Sequence, residues 1–342
     1  MNDFEDRSGR LPGRILAGIG MAGVLVCLAL PRLGNAPERL EFGGETMGTF
    51  YRVVVSGAEM PASERLELER DVNALLQDVS REMSTHDPAS VLSKFNSFNG
   101  TSPFDVSPEL AKVVSAALET ARNSGGAFDP TVAPLVDLWG FGKKGRTERA
   151  PPDNEISKTL ERTGYAGISV VNGALLKKNP GIELDLSGLA KGYGVDRVAG
   201  LLGERGIRNA LVDIGGEIAA FGLNDSGKPW RISVQTPEKG VPGGLANYRI
   251  LAVSGRAVAT SGDYRNYFEE NSASYCHVLD PRTGRPVTNG VASVTVIGKD
   301  CMTADALATA LMVTGPDRGM KMLADYPGFE AMWIVRKDGK SL

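Results

Sequence analysis

Histidine, cysteine and aromatic side chains are scarce in this chain of 342 residues. There are two histidines, His86 and His277, so a multi-histidine metal centre is excluded and any imidazole chemistry must use one of these two. The three cysteines, Cys27, Cys276 and Cys301, show no Cys-x-x-Cys or comparable ligand spacing, which argues against a zinc site. Positive charge is not in excess either: the net charge is −3, from 38 Lys and Arg against 41 Asp and Glu. A chain that binds nucleic acid needs a basic face for the phosphates, so no nucleic-acid partner is expected. No glycine-lysine loop of the Walker type occurs, nor an adjacent twin arginine, an internal repeat or a low-complexity tract.

What is present is ordinary globular material, 42% hydrophobic and 23% charged, with 42 glycines that foretell many turns or close backbone approaches. The N-terminus stands apart. Arg7, Arg10 and Arg14 precede an apolar run from Ile15 to Leu30, the pattern of a signal peptide or short signal anchor. At ~1.5 Å per residue that run makes a helix of about 24 Å, marginal for a ~30 Å hydrocarbon core. Val24-Leu25-Val26-Cys27 approaches a lipoprotein box but has a large residue before the cysteine. Gly34-Asn35-Ala36 offers small residues for cleavage but Pro37 follows. Residues 1–36 are therefore read as a signal peptide or N-terminal membrane anchor, and 37–342 as the folded domain, placed outside the cytoplasm.

Along that domain, 40–56 reads as a strand pair or one long bent strand broken at its glycines. Residues 62–83 read as a helix, because Leu68, Val72, Leu75, Leu76, Val79 and Met83 recur at three- and four-residue spacing. Ser107-Pro108 opens another helix and Gly125-Gly126 closes it. Asn172-Gly173 suits a hairpin turn. A strand is expected at 182–186, a helix near 189–204, and strands near 209–213, 217–221, 230–235, 248–253, 275–279 and 292–297. Helices at about 303–314 and 316–325 and a strand at 330–336 complete the pattern. Strands and helices do not alternate strictly, so the predicted class is α+β.

Four segments carry residues suited to chemistry. Asp305 and Thr309 lie four apart, so one helical face presents a carboxylate and a hydroxyl, donors that a hard cation such as Mg²⁺ prefers. Thr303 can cap that helix, and an Asp/Thr pair in a first turn is as readily a capping device. Leu184 to Gly192 runs from a strand end through Ser187-Gly188 into a helix. Its backbone can approach a phosphate or metal, Asp185 can accept from a ligand hydroxyl or amine, and Lys191 can neutralise phosphate or simply lie on a solvated face. Phe128, Trp139 and Phe141 can stack on a planar ring, although core packing suits the latter two better. His277 precedes the turn Asp280-Pro281-Arg282-Thr283-Gly284, where an imidazole can serve as general base or just pack; Arg282 and Arg285 can bind phosphate or cover the turn. Val258 to Tyr264 reads as another small-residue turn.

No one of these motifs settles function, but their order does. Met47-Gly48-Thr49, Met83-Ser84-Thr85, Gly126 to Thr131, Leu138 to Gly142, Asp185 to Gly192, Ile214 to Glu217, Ala259 to Tyr264, His277 to Gly284 and Ala304 to Thr309 follow one another. In this the chain resembles the ApbE-type FAD:protein FMN transferases over roughly residues 40–337. The resemblance implies an α+β domain of mixed sheets and packed helices in two joined lobes, T-fold-like, with FAD between them. It implies an exported enzyme on the periplasmic side of the inner membrane. Such enzymes use Mg²⁺ to cleave the FAD pyrophosphate and attach FMN to a threonine, sometimes a serine, of a membrane or periplasmic redox protein, releasing AMP. Some members hydrolyse FAD to FMN and AMP instead, and a flavin-binding module without turnover is the non-enzymatic alternative.

By motif position, Asp305, Thr309 and the Gly188 backbone would hold Mg²⁺. Met47, His86, Ala127, Phe128, Asp129, Asp185, Lys191 and Leu279 would line FAD. His277 would be the base and Lys191 would act with it. Three positions depart from the usual pattern: His86 where tyrosine is common, Cys276 where a second histidine often stands, and Gly188 where alanine is frequent. Cys276 and Cys301 are open to pairing as a disulfide or to persisting as free thiols.

Overall fold

The computed structural model describes residues 39–341 apart from 58, 146, 148, 238–246, 265, 272, 338 and 339; the expected leader at 1–36 lies outside them. Among the described residues no helix is long and apolar enough to cross a membrane.

The frame is one eight-stranded sheet in the spatial order Arg39–Thr46, Thr49–Ser56, Ala210–Ile214, Glu217–Phe221, Arg256–Gly262, Val291–Gly298, Glu330–Lys337 and Lys340–Ser341. The α+β reading holds, and within it every strand pairing among the described residues is antiparallel. Tight turns account for the pairing of the first strand with the second and of the third with the fourth. The strand pair expected at 40–56 is a hairpin in which Thr46 faces Thr49 across the two-residue turn Met47-Gly48, with φ of 48° and 71°. Positive φ at both positions gives the turn the twist that suits a hairpin. Gly215 and Gly216 make the equivalent turn between the third and fourth strands, also at positive φ.

Among the described residues seven α-helices accompany the sheet: α1 (Ala62–Met83), α2 (Val91–Ser97), α3 (Pro108–Asn123), α4 (Ala133–Leu138), α5 (Asp153–Leu160), α6 (Ala190–Glu204) and α7 (Cys301–Leu323). Alternation along the second strand sorts the sheet's faces. Val53 and Val55 pack with Leu68, Val72 and Leu76 of α1 and with Val195 and Val198 of α6. Val54 points the other way, toward Trp230, Ile232 and Val253 of a separate two-stranded ribbon. The chain between α1 and α6 holds α2 to α5 and a small three-stranded sheet, and shares a continuous apolar core with α7.

The spacing-based helix at 62–83 is α1, which buries Leu68, Val72, Leu76, Val79 and Met83. In α3 the Ser107 side chain accepts from the Leu110 amide, and Gly125 and Gly126 at positive φ end the helix. The Asn172-Gly173 hairpin forms. The two helices expected after 303 are the halves of α7, broken at Gly315, where φ is 71°, just before Pro316.

Three expectations are corrected. Residues 182–186 are extended but form no strand: Asn96 takes the place of a partner strand, donating from Nδ2 to the Leu184 carbonyl (2.8 Å) and accepting the Leu184 amide at Oδ1 (2.7 Å). Buried Lys177 adds a bond to the Ile182 carbonyl. The Val258–Tyr264 segment is mostly strand, because Val258 to Gly262 pair fully with Ser293 to Ile297. The helix bearing Asp305 begins earlier than expected, and its cap is Asp300, not Thr303: the Asp300 side chain accepts from the Thr303 amide. Cys276 and Cys301 are both buried free thiols.

Candidate active site

The start of α6 meets the start of α7. A Cβ on Gly192 would lie 2.3 Å from the Cys301 carbonyl oxygen, so only glycine lets the two helices approach this closely. The contact is locked from both sides. The Gly192 amide donates to Asp305 Oδ2 at 3.1 Å, and the Cys301 and Met302 amides donate to Asp196 at 2.7 and 2.9 Å. Burial pushes the Asp196 carboxyl up to about 6, against the two amides that favour its ionised form. The Cys301 thiol is driven well above its usual range by the same desolvation.

Asp305 is 3% exposed. Its carboxyl is raised by burial, while the Lys191 ammonium and the Gly192 amide hold it back toward the charged form. Lys191 Nζ lies 3.7 Å from Asp305 Oδ2 and 3.1 Å from Glu217 Oε1. Glu217 opens its strand just after the Gly215-Gly216 turn and is buried. Reading motifs singly missed Glu217 and Asp196 as site-building residues. The glycine turn ending in an acid was the signal for Glu217. Asp196, four residues after Gly192, carries no such signal.

One turn along α7 from Asp305, Thr309 Oγ1 lies 3.3 Å from Ser261 Oγ. A Cβ on Gly188 would be 3.4 Å from that threonine oxygen and 3.0 Å from the Phe128 ring, so Gly188, Phe128 and Thr309 converge. The capping alternative for Asp305 and Thr309 does not apply, since Asp300 fills that role and both side chains are engaged elsewhere. One buried carboxylate, one hydroxyl and a nearby main chain form an all-oxygen set that fits Mg²⁺, which takes few protein ligands and keeps several waters. Among the described residues no cluster of three or more His, Cys, Asp or Glu could form a rival metal cage.

The remaining candidates are held by contacts of their own. Ala127 and Phe128 are buried, and Asp129 accepts from the Thr131 amide and hydroxyl (2.8 and 2.6 Å) and from the Tyr165 amide (2.9 Å). Asp129 thus shapes its own loop, with its carboxyl raised by burial and restrained by those donors. The next carbonyl, of Pro130, accepts the Asp185 amide at 2.7 Å, tying this loop to the segment that delivers Gly188 and Lys191. Asp185 accepts from the Ser187 amide to shape that turn. The Met47 side chain reaches Gly194 on α6. His86 is exposed in the loop after α1.

On the other side of Gly126 lies Arg282, whose guanidinium is already forked onto Asp280 with two bonds of 2.8 Å. Leu279 buries its side chain against Leu135 and Trp139, so only its backbone faces elsewhere. Trp139 is a core residue that donates to the Gly284 carbonyl at 2.8 Å. Phe141 stands edge-on to the His277 ring at 6.3 Å. His277 Nδ1 lies 3.1 Å from the Asn266 carbonyl oxygen, which also accepts the His277 amide.

The fold recurs in known proteins. The model of the ApbE family matches residues 47–333. An FAD:protein FMN transferase of Vibrio cholerae is 42% identical over 302 residues, covering 88% of this chain and 89% of the relative. One of Escherichia coli K12 is 35% identical over 315 residues, covering 91% and 88%. The solved structure of the Vibrio cholerae flavin transferase ApbE superposes with a TM-score of 0.80 at 39% identity, over 89% of this chain and 96% of that one. The Pseudomonas stutzeri flavinyl transferase ApbE gives 0.79 at 36% identity, over 89% and 94%. With identity this high along nearly the whole length, and a family model matching residues 47–333, the chain belongs to the ApbE family.

Proposed function

We infer that this protein is an FAD:protein FMN transferase that moves FMN from FAD to a threonine or serine hydroxyl of a redox protein. The observation that carries the reading is the arrangement of Asp305, Thr309 and Gly188 beside Lys191. Cleaving a pyrophosphate needs an oxygen-lined cation site and a fixed ammonium at the developing charge, and the closeness of Gly188 to Thr309 and of Lys191 to Asp305 supports this reading.

The chain's own residues divide the work. Asp305, Thr309 and the Gly188 backbone would hold Mg²⁺, which when bound neutralises pyrophosphate charge. Lys191, held by Glu217, would face the phosphate oxygens. Phe128 supplies an apolar wall beside Gly188. The acceptor oxygen attacks the phosphorus of the FMN half, the bond from that phosphorus to the bridging oxygen breaks, and AMP leaves with that oxygen. The hydroxyl proton passes to His277. A carbonyl only accepts, so neutral His277 donates from Nδ1 to Asn266 and leaves Nε2 free of a proton, the state a general base requires. Residues 1–36 would place the domain on the periplasmic side of the inner membrane, as an anchor or an export signal, and the basic flank before the apolar run supports this.

The test is chromatography of AMP and FMN from FAD and Mg²⁺ with residues 37–342, with and without an acceptor domain of proven competence. AMP that appears only with acceptor, together with an FMN mass gain on it, is the expected result. AMP and free FMN without acceptor would make the protein a hydrolase. No AMP in either tube from folded enzyme would leave a flavin-binding module.

A further inference from the structure

The α6–α7 contact contains a carboxylate that the transfer chemistry does not use. On α6, Gly192 and Asp196 lie four residues apart and so share a face; on α7, Cys301, Asp305 and Thr309 do the same. The two faces meet reciprocally. Gly192, opening α6, gives its amide to Asp305 of α7, while Asp196 of α6 takes the amides of Cys301 and Met302, opening α7. Those two amides are helix-start donors with no partner inside their own helix. The positive end of the helix dipole favours an anion there. Asp300 satisfies a different amide, that of Thr303, so Asp196 is not a duplicate of the local cap.

We propose that Asp196 is a positioning residue for the reaction. By clamping the first turn of α7 from α6, it sets where Asp305 and Thr309 stand relative to Gly188. Gly188 and Lys191 enter from the α6 side of the contact and Asp305 and Thr309 from the α7 side, so slippage between the helices would separate the two halves of the cation site. The absence of a Cβ at Gly192 fixes the distance of approach, and Asp196 fixes the register.

The proposal rests on the reading of Asp305, Thr309 and Gly188 as the cation site, and the experiment separates the two. Mn²⁺, a paramagnetic stand-in for Mg²⁺, is titrated into the full chain and free ion is read by electron paramagnetic resonance, with thermal melting of each variant in parallel. Asp305→Ala should abolish tight Mn²⁺ binding; wild-type binding in that variant overturns the site reading and the proposal with it. Given loss in Asp305→Ala, Asp196→Ala should weaken Mn²⁺ binding by about tenfold or more, as loss of groups that orient ligands does.

Leu202→Ala is the control, since Leu202 is fully buried on the same helix but lies away from the contact. It should lower the melting temperature without moving Mn²⁺ affinity. An equal affinity loss in Leu202→Ala, or a melting loss alone in Asp196→Ala, makes Asp196 merely structural and overturns the proposal. If Asp196→Ala does not fold, Asp196→Asn decides. It keeps one acceptor oxygen and should weaken binding by about threefold; unchanged affinity there overturns the proposal equally.

Discussion

The His277 ring is held at Nδ1 by the Asn266 carbonyl and packs against Phe141, which suits the proposed role of His277 as general base. His277→Gly should lower the transfer rate by about a hundredfold or more, the usual worth of a general base, with FAD binding retained. Full transfer by this variant would remove His277 from the mechanism. Lys191 has two carboxylates to face, and Glu217 is the nearer. Glu217→Gln should let the ammonium drift and cut kcat/KM for FAD by about a hundredfold, the scale of a ~1 Å misplacement. Lys191→Met should cost at least as much. The reverse order would mean that Glu217 acts apart from the lysine.

At the scale of elements, the α6–α7 junction makes a prediction about pH. The Asp196 carboxyl titrates near 6 in the fold because burial outweighs its two amide donors; Asp300 pushes it further up and Lys112 opposes that. A carboxyl raised in the folded state contributes stability that is present below its ordinary value of 3.8 and lost as pH rises toward 6. The shift corresponds to on the order of 2 kcal/mol, allowing for partial exposure. Urea denaturation between pH 4 and 7 should therefore show wild type losing about that much relative to Asp196→Asn on going from about pH 4 to 6, with no further divergence above. Parallel curves would show that this carboxyl does not titrate there.

Gly192→Ala should destabilise by about 1–3 kcal/mol, because its methyl meets a backbone oxygen rather than a yielding side chain. The elements also show what the sequence makes legible. Local signals sufficed for α1, α3 and the Asn172-Gly173 turn, where periodicity, caps and positive φ act within a few residues. They failed at 182–186, where Ile182, Leu184 and Leu186 are buried as in a strand but the hydrogen-bond partner is the side chain of Asn96, 88 positions from Leu184. They failed again at Asp300, because either of two good capping residues, three apart, suits a helix start.

The whole molecule places its chemistry at contacts between distant stretches of chain. Asp305 was legible through its spacing from Thr309, yet its burial against Gly192 and Lys191 was not, since that depends on how α6 and α7 cross. Removing everything beyond residue 300 would strip out α7, whose Leu307 and Leu311 are fully buried in the main core. Such a truncation should show no cooperative urea transition, and a sharp transition would mean that the first part folds alone. The bonds that define the junction span 105 to 113 positions of sequence. Contacts so remote carry a large loop-closure cost and form late relative to local helices and hairpins. A chain made from its N-terminus therefore cannot assemble the proposed cation site before α7 has been synthesised as far as Thr309.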